Sequence, residues 1–276
     1  MVIFLTGGTG FIGSHFINQA HKAGHEILAL RRPGSRPKVK LTKEPTWIEG
    51  SLDTDLSVIL SKCQVFVHLA AFGVSPQPSN WHDCFYWNLT KSLKLLKQAL
   101  DSGIERVISV GTFAEYGEAG LDYEFIPPEC LLRPIGAYAT SKAAFSIAMT
   151  SMCQEYNAFS TYYRLFSVFG DGQYEGNLYP SLKKAAFSNK DFSMTKGEQI
   201  RDFISVENAT RQIVCGLKFE DTVVGRSATL NIGSGKPQTI LEFSRHHWEK
   251  WNAKGILKIG ELPYRDNETM RYVAKI

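Results

Sequence analysis

The chain contains no apolar run approaching the ~20 residues that a helical membrane span requires, and no basic leader with a cleavage site precedes its first strand pattern. A cytoplasmic location is therefore expected. Cysteine is scarce and unpatterned: Cys63, Cys84, Cys130, Cys153 and Cys215 are odd in number and form no Cys-x-x-Cys pair. This argues against a disulfide frame or a zinc site and for buried thiols in a reducing compartment, with no metal expected. An excess of one charge is also lacking. The 31 Lys and Arg against 27 Asp and Glu leave a net +4, spread too evenly for a nucleic-acid polymer or a membrane surface as partner. Neither an internal repeat nor a low-complexity segment is present.

What remains is an ordinary globular composition, 276 residues of which 43% are hydrophobic, enough for one large α/β domain with a smaller lobe. Up to residue 165, short apolar runs alternate with helical patterns, as repeated βαβ units do. Strands are expected at Val2–Leu5, Glu26–Leu30, Thr46–Ile48, Val65–Leu69, Arg106–Val110 and Ser160–Leu165. Helices are expected near Ile12–Ala23, Leu56–Ser61, Asn88–Ser102 and Ala137–Tyr156. In the Asn88 segment, Leu89, Leu93, Leu96 and Leu100 recur at helical spacing and predict a core face. From Gly170 onward the elements shorten. The expected fold is a doubly wound parallel sheet of Rossmann type over residues 1–168. A smaller α/β lobe that receives substrate follows over residues 169–276, some of its segments returning to the core.

Two motifs carry the chemistry. Gly7-Gly8-Thr9-Gly10-Phe11-Ile12-Gly13 sits between a buried-type strand and an amphipathic stretch. Glycines there permit a sharp turn and the approach of a pyrophosphate to a helix N-terminus. Tyr138 and Lys142 stand four residues apart on one face of a predicted helix. A lysine charge beside a phenol is expected to lower the phenol's pKa from about 10.

Together, in this order, the two motifs resemble the short-chain dehydrogenase/reductase superfamily, in its extended branch acting on nucleotide sugars. The resemblance runs from Val2 to about Val273. It implies an NAD(P) cofactor bound by Gly7, Gly10, Phe11, Ile12, Gly13, Leu69, Ala70, Ala71, Tyr138 and Lys142. It also makes Thr112, Tyr138 and Lys142 the catalytic set, with Tyr138 as general acid or base. Leu30-Arg31-Arg32-Pro33 closes the second strand without the acidic residue that binds a ribose 2′-hydroxyl, so Arg31 and Arg32 point to NADP rather than NAD. Ser51 replaces an aspartate that the family often places near adenine; Asp53 reads as a helix cap, with a substitute adenine contact as the alternative, and His68 reads as a structural strand-end residue.

The family's nucleotide-sugar dehydratases follow the threonine with Asp-Glu or Ser-Glu, whereas this chain has Phe113-Ala114, and Glu115 comes one position too late. For the substrate, the resemblance implies contacts from Asn177, Leu178, Arg201 in Gln199–Phe203, and Arg265 in Pro263–Glu268, the arginines gripping a diphosphate. Ser167 stands where the family has an asparagine near the sugar, and Asn231–Gly235 reads as a strand end and turn. The expected activity is NADPH-dependent reduction of a 4-keto group on a nucleotide-linked deoxysugar, of the kind that builds bacterial surface polysaccharides. An NAD(P)-dependent nucleotide-sugar epimerase, an NADPH reductase of a small carbonyl compound and a non-catalytic NADP sensor are the alternatives. A homodimer is left open as the assembly.

Overall fold

The structure is a computed structural model that describes residues 1–74, 80–220, 222–265 and 268–276. The first half of the chain alternates as its sequence pattern requires: β1 (Val2–Thr6), α1 (Phe11–Lys22), β2 (Glu26–Arg31), β3 (Thr46–Glu49), α2 (Ser57–Leu60) and β4 (Val65–His68). Then follow α3 (Trp81–Phe85), a π-helical turn (Tyr86–Lys91), α4 (Ser92–Asp101), β5 (Arg106–Thr112), α5 (Ala137–Glu155) and β6 (Phe159–Leu165). The second half adds β7 (Ser167–Phe169), α6 (Leu178–Phe187), β8 (Phe192–Met194), β9 (Ile200–Ser205), α7 (Val206–Cys215) and β10 (Ala228–Ile232). It ends with β11 (Pro237–Thr239), α8 (Ile240–Lys250), β12 (Leu257–Ile259) and β13 (Arg271–Tyr272).

Seven strands form one parallel sheet in the order β10-β6-β5-β4-β1-β2-β3. The order reverses beside β1, which opens a crevice at the carboxyl ends of β1 and β4. Both faces of the sheet are covered, so its central strands are apolar throughout rather than alternating. Ile3 and Leu5 of β1 pack with Phe16, Ile17 and Ala20 of α1 and with Ala209 and Ile213 of α7. Phe4, on the opposite face, joins Leu60 of α2, Leu95 and Leu96 of α4, and Phe145 and Met149 of α5. The later segments build a four-stranded sheet from β7, β9, β11 and β13, and a two-stranded one from β8 and β12. Leu182 and Ala186 of α6 pack there against Trp248 of α8. β10 leaves this group and pairs with β6.

Three local expectations need correction. The Asn88 segment is not one regular helix: a π-helical turn precedes α4, and the fully buried face is Leu95, Leu96, Ala99 and Leu100, with Leu89 and Leu93 only half-buried. Asp53 caps nothing. Its carboxylate takes Lys91 Nζ at 2.6 Å and Lys94 Nζ at 3.3 Å, while the N-cap of α2 is Leu56, which offers no side-chain cap. Of the five free thiols, Cys215 is exposed, because it ends α7 on the helix's outer face.

Candidate active site

The loop after β1 is shaped by backbone contact. Gly7 has φ +75°, and a Cβ there would lie 2.5 Å from the Leu69 carbonyl carbon just beyond β4. A Cβ on Gly13 would run into the Gly7 carbonyl, so α1 packs this close to the loop only with glycine at that position. Gly10 is the N-cap of α1 and offers no side-chain cap, leaving the first-turn N–H groups near Phe11 and Ile12 for an anion. Ala70 N–H reaches Thr6 Oγ1 at 3.3 Å, which holds the Leu69-Ala70-Ala71 segment beside the glycine turn. A cradle of bare backbone at a helix N-terminus fits a dinucleotide pyrophosphate.

Thr112 ends β5 and caps a short 3₁₀ turn, Phe113–Glu115. Its Oγ1 accepts the Ala114 N–H at 3.2 Å, which leaves its own proton free to be donated. Glu115, fully buried, returns to accept the Thr112 N–H at 2.9 Å. The same carboxylate accepts Tyr162 O–H at 2.9 Å and pairs with Arg164 Nε at 2.9 Å. It thus points into the sheet, as its position one residue late anticipates, while Phe113 packs on Phe166 and Tyr272 with ring centroids 5.6 and 5.1 Å away.

Tyr138 and Lys142 lie in the first turns of α5, four residues apart as the spacing predicts. Their electrostatics differ from the sequence expectation. Burial, with Glu115 and Cys84 adding to it, pushes the Tyr138 phenol upward rather than down. Burial also pushes the Lys142 ammonium down to about 8, against the support of the Glu115 charge. Desolvation disfavours the charged form of each group and is the largest cause of both shifts.

Arg31 and Arg32 differ. Arg31 Nη2 pairs with Glu49 Oε1 on β3 at 3.0 Å, and its guanidinium lies 5.2 Å over the Trp47 ring. Arg32 is exposed. Asn177 is the N-cap of α6, with Leu178 the first helical residue, and its side chain makes no capping bond, so it is available to a ligand. Arg201 is tied down: Nη2 reaches Glu268 Oε1 at 3.0 Å and Thr269 O at 2.7 Å. Arg265 is exposed, and its neighbours Asp266 and Asn267 lie outside the described residues. Asp202, buried beside Arg201, accepts Ser234 N–H at 2.6 Å, Gly235 N–H at 3.0 Å and Ala274 N–H at 3.1 Å, which fixes the Asn231–Gly235 turn against β9. A groove of about 550 Å³ lined by Tyr163, Cys215, Phe219, Asn231, Lys275 and Ile276 includes none of Thr112, Tyr138, Lys142, Asn177, Arg201 and Arg265.

The sequence profile described as "NAD dependent epimerase/dehydratase family" matches residues 3–233. The chain belongs to this family. It is 25% identical to UDP-glucose 4-epimerase of Corynebacterium glutamicum over 88% of this chain and 78% of that one. It is 23% identical to the dTDP-6-deoxy-L-talose 4-dehydrogenase (NAD(+)) of Aggregatibacter actinomycetemcomitans, over 98% of both chains. Among solved structures, the UDP-N-acetylglucosamine 4-epimerase of Methanobrevibacter ruminantium, in complex with UDP-N-acetylmuramic acid, superposes with a TM-score of 0.88 at 26% identity. That superposition covers 99% of this chain and 89% of the other.

Behind Thr112, Tyr138 and Lys142, the candidate set of this family member, lies a layer of buried hydrogen bonds. Asn88, in the π-helical turn, donates to Ser141 Oγ at 2.9 Å and to Phe72 O at 3.0 Å, and accepts Phe72 N–H at 2.7 Å. It therefore braces α5 between Tyr138 and Lys142. His68 bridges Thr6 Oγ1 at 2.8 Å and Ser92 Oγ at 2.9 Å, and burial with the Lys142 charge drives its pKa down to about 3, so it is a neutral brace as expected. Sequence reading passed over Asn88 and Ser141. The one available clue was an asparagine inside an otherwise leucine-rich helical pattern.

Proposed function

We propose that this family member reduces a 4-keto group on a nucleotide-linked deoxysugar, with NADPH as the reductant. The observation that carries the reading is the fate of the three residues after Thr112. Phe113 is packed among aromatic rings, Ala114 has no proton to exchange, and Glu115 is consumed by a buried ion pair. An elimination across neighbouring sugar carbons needs an acid and a base at that place, and none is free.

The nicotinamide, when bound, supplies the hydride. Tyr138, kept protonated by burial, gives its proton to the carbonyl oxygen as that oxygen gains charge. Thr112 Oγ donates to the same oxygen and orients it. Lys142, buried, follows Tyr138 by one helical turn of α5. Supporting NADPH, residues 31–43 carry Arg31, Arg32, Arg36, Lys38, Lys40 and Lys43 with no carboxylate. The segment is anchored on α1 by Lys38 N–H to Ser14 Oγ at 3.0 Å and Asn18 Nδ2 to Lys40 O at 3.1 Å. Asn177 and Arg265 would meet the sugar diphosphate.

The second reading, an NAD-dependent 4-epimerase, is favoured by one observation: the Arg31–Glu49 pair takes one of the two arginines away from a 2′-phosphate. Two incubations separate the readings: a dTDP-4-keto-6-deoxyhexose with either NADPH or NADH, and a 4-hydroxy nucleotide sugar with the protein and catalytic NAD. Stoichiometric NADPH oxidation with formation of a 4-hydroxy sugar is expected. Interconversion of 4-epimers without net cofactor turnover would establish the epimerase instead.

A further inference from the structure

Glu115 takes no step in the reaction proposed above, yet Thr112 N–H, Tyr162 O–H and Arg164 Nε–H converge on its carboxylate, each at 2.9 Å. The side chains of the ion pair are 0% and 6% exposed. A buried pair is a poor device for stability alone, because apolar residues of the same volume often do as well or better. What distinguishes this one is its neighbours. The Thr112 bond fixes the end of β5. Tyr162 O–H lies within 3.2 Å of the Lys142 carbonyl as well, so the carboxylate is tied through one phenol to α5. Arg164 in turn donates Nη1 to Pro128 O at 2.9 Å and lies 4.8 Å over the Tyr116 ring, so the cation is itself held.

We propose that Glu115 is a positioning residue of the active site: its buried carboxylate locks the Thr112 strand end to the helix carrying Tyr138 and Lys142 and holds a negative charge beside that pair. The catalytic roles of those three residues rest on the function proposed above; the placement of the charge does not. Tyr162 and Arg164 from β6 and Tyr116 from its own segment face this charge, while His68 from β4 faces Lys142, Cys84 from α3 faces Tyr138 and Cys130 from the loop beyond faces Arg164. His68 is held neutral, and burial pushes Tyr116, Tyr162 and the Cys130 thiol upward. Glu115 is therefore the fixed charge that acts on Lys142, with Arg164 as its own partner.

The test follows the Lys142 side chain by NMR in protein labelled with ¹³Cε-lysine, its resonance assigned by its loss in Lys142→Met. In Glu115→Gln the titration midpoint should fall by about one pH unit, because the carboxylate favours the ammonium. In Glu115→Asp the charge is kept and the midpoint should stay near that of the wild type. The shortened reach to Thr112 should instead lower kcat for sugar reduction about tenfold, with cofactor affinity unchanged. If Arg164 left unpaired prevents Glu115→Gln from folding, the neutral double variant Glu115→Gln/Arg164→Gln removes that cation and should give a smaller fall in the same direction, since the lost guanidinium offsets part of the lost carboxylate. A midpoint that does not move in either folded variant overturns the proposal. The titration needs no substrate, so absence of sugar reduction in the wild type would overturn the proposed function and leave this result standing.

Discussion

Gly111 and Arg164 are register partners across the β5–β6 pairing, and the space above that glycine is where Glu115 and Tyr162 meet. A methyl group at Gly111 would collide with the Glu115 carboxylate and the Tyr162 hydroxyl, neither of which has room to retreat. Gly111→Ala should therefore destabilise the protein by about 3 kcal/mol or more, the upper range for overpacking compounded by a broken buried network. Urea unfolding measures it. A change within ordinary surface scatter would show that the network relaxes freely.

Cofactor preference should track Arg32 more than Arg31, since Glu49 already engages Arg31. The wild type should bind NADPH more tightly than NADH, and Arg32→Ala should weaken NADPH about tenfold or more, the scale of a hydrogen bond to a charged group. The Arg31→Asp/Arg32→Ala double variant should abolish the preference. Fluorescence titration with both cofactors decides it, and equal affinity of the wild type for the two would refute NADPH selectivity.

Tyr138→Phe should reduce turnover by about 10²–10⁴-fold, the usual contribution of general acid–base catalysis, while cofactor affinity stays close to that of the wild type. Steady-state rates beside a cofactor titration test this. Activity within a few-fold of the wild type would remove Tyr138 from the proton transfer.

Lys142 makes stability depend on pH in the alkaline range. Its ammonium titrates at about 8 in the folded chain against 10.5 ordinarily, so between those values the unfolded chain binds more protons and this group's contribution to stability rises with pH. Below that window the buried charge costs on the order of 3 kcal/mol. Lys142→Met should accordingly be more stable than the wild type at neutral pH, with the advantage fading toward strongly alkaline pH. Denaturation midpoints at pH values spanning the window would show it, and a variant uniformly less stable would contradict it.

The two arginines assigned to the sugar diphosphate should behave differently when removed. Arg265→Ala should weaken binding of a nucleoside diphosphate sugar about tenfold without lowering the thermal midpoint, because the residue is exposed. Arg201→Ala should lower both, since its guanidinium also holds Glu268 and the Thr269 carbonyl. Both variants should bind NADPH normally. Unchanged sugar-nucleotide affinity in both would favour a small carbonyl substrate.

The sequence alone determined the sheet, the glycine turn and the Tyr138–Lys142 spacing, because each is written in local periodicity. An unbroken apolar run such as Val2–Leu5 must be a strand covered on both faces, and a phenol and an amine four residues apart in a helix must share a face. It also placed Glu115 out of reach of a dehydratase's work. What it could not supply is anything that depends on which groups meet in the dry interior. Lys142 beside Tyr138 reads as an activating charge until burial is counted, and then both pKa values move the other way. Arg31 and Arg201 read as unpaired arginines until the fold brings Glu49 and Glu268 to them from distant points in the chain. Asp53 reads as a cap until two lysines of the neighbouring helical region reach it. Local pattern fixes where a side chain begins, but desolvation and long-range partners decide its charge and what it is free to bind, and those exist only once the chain has folded.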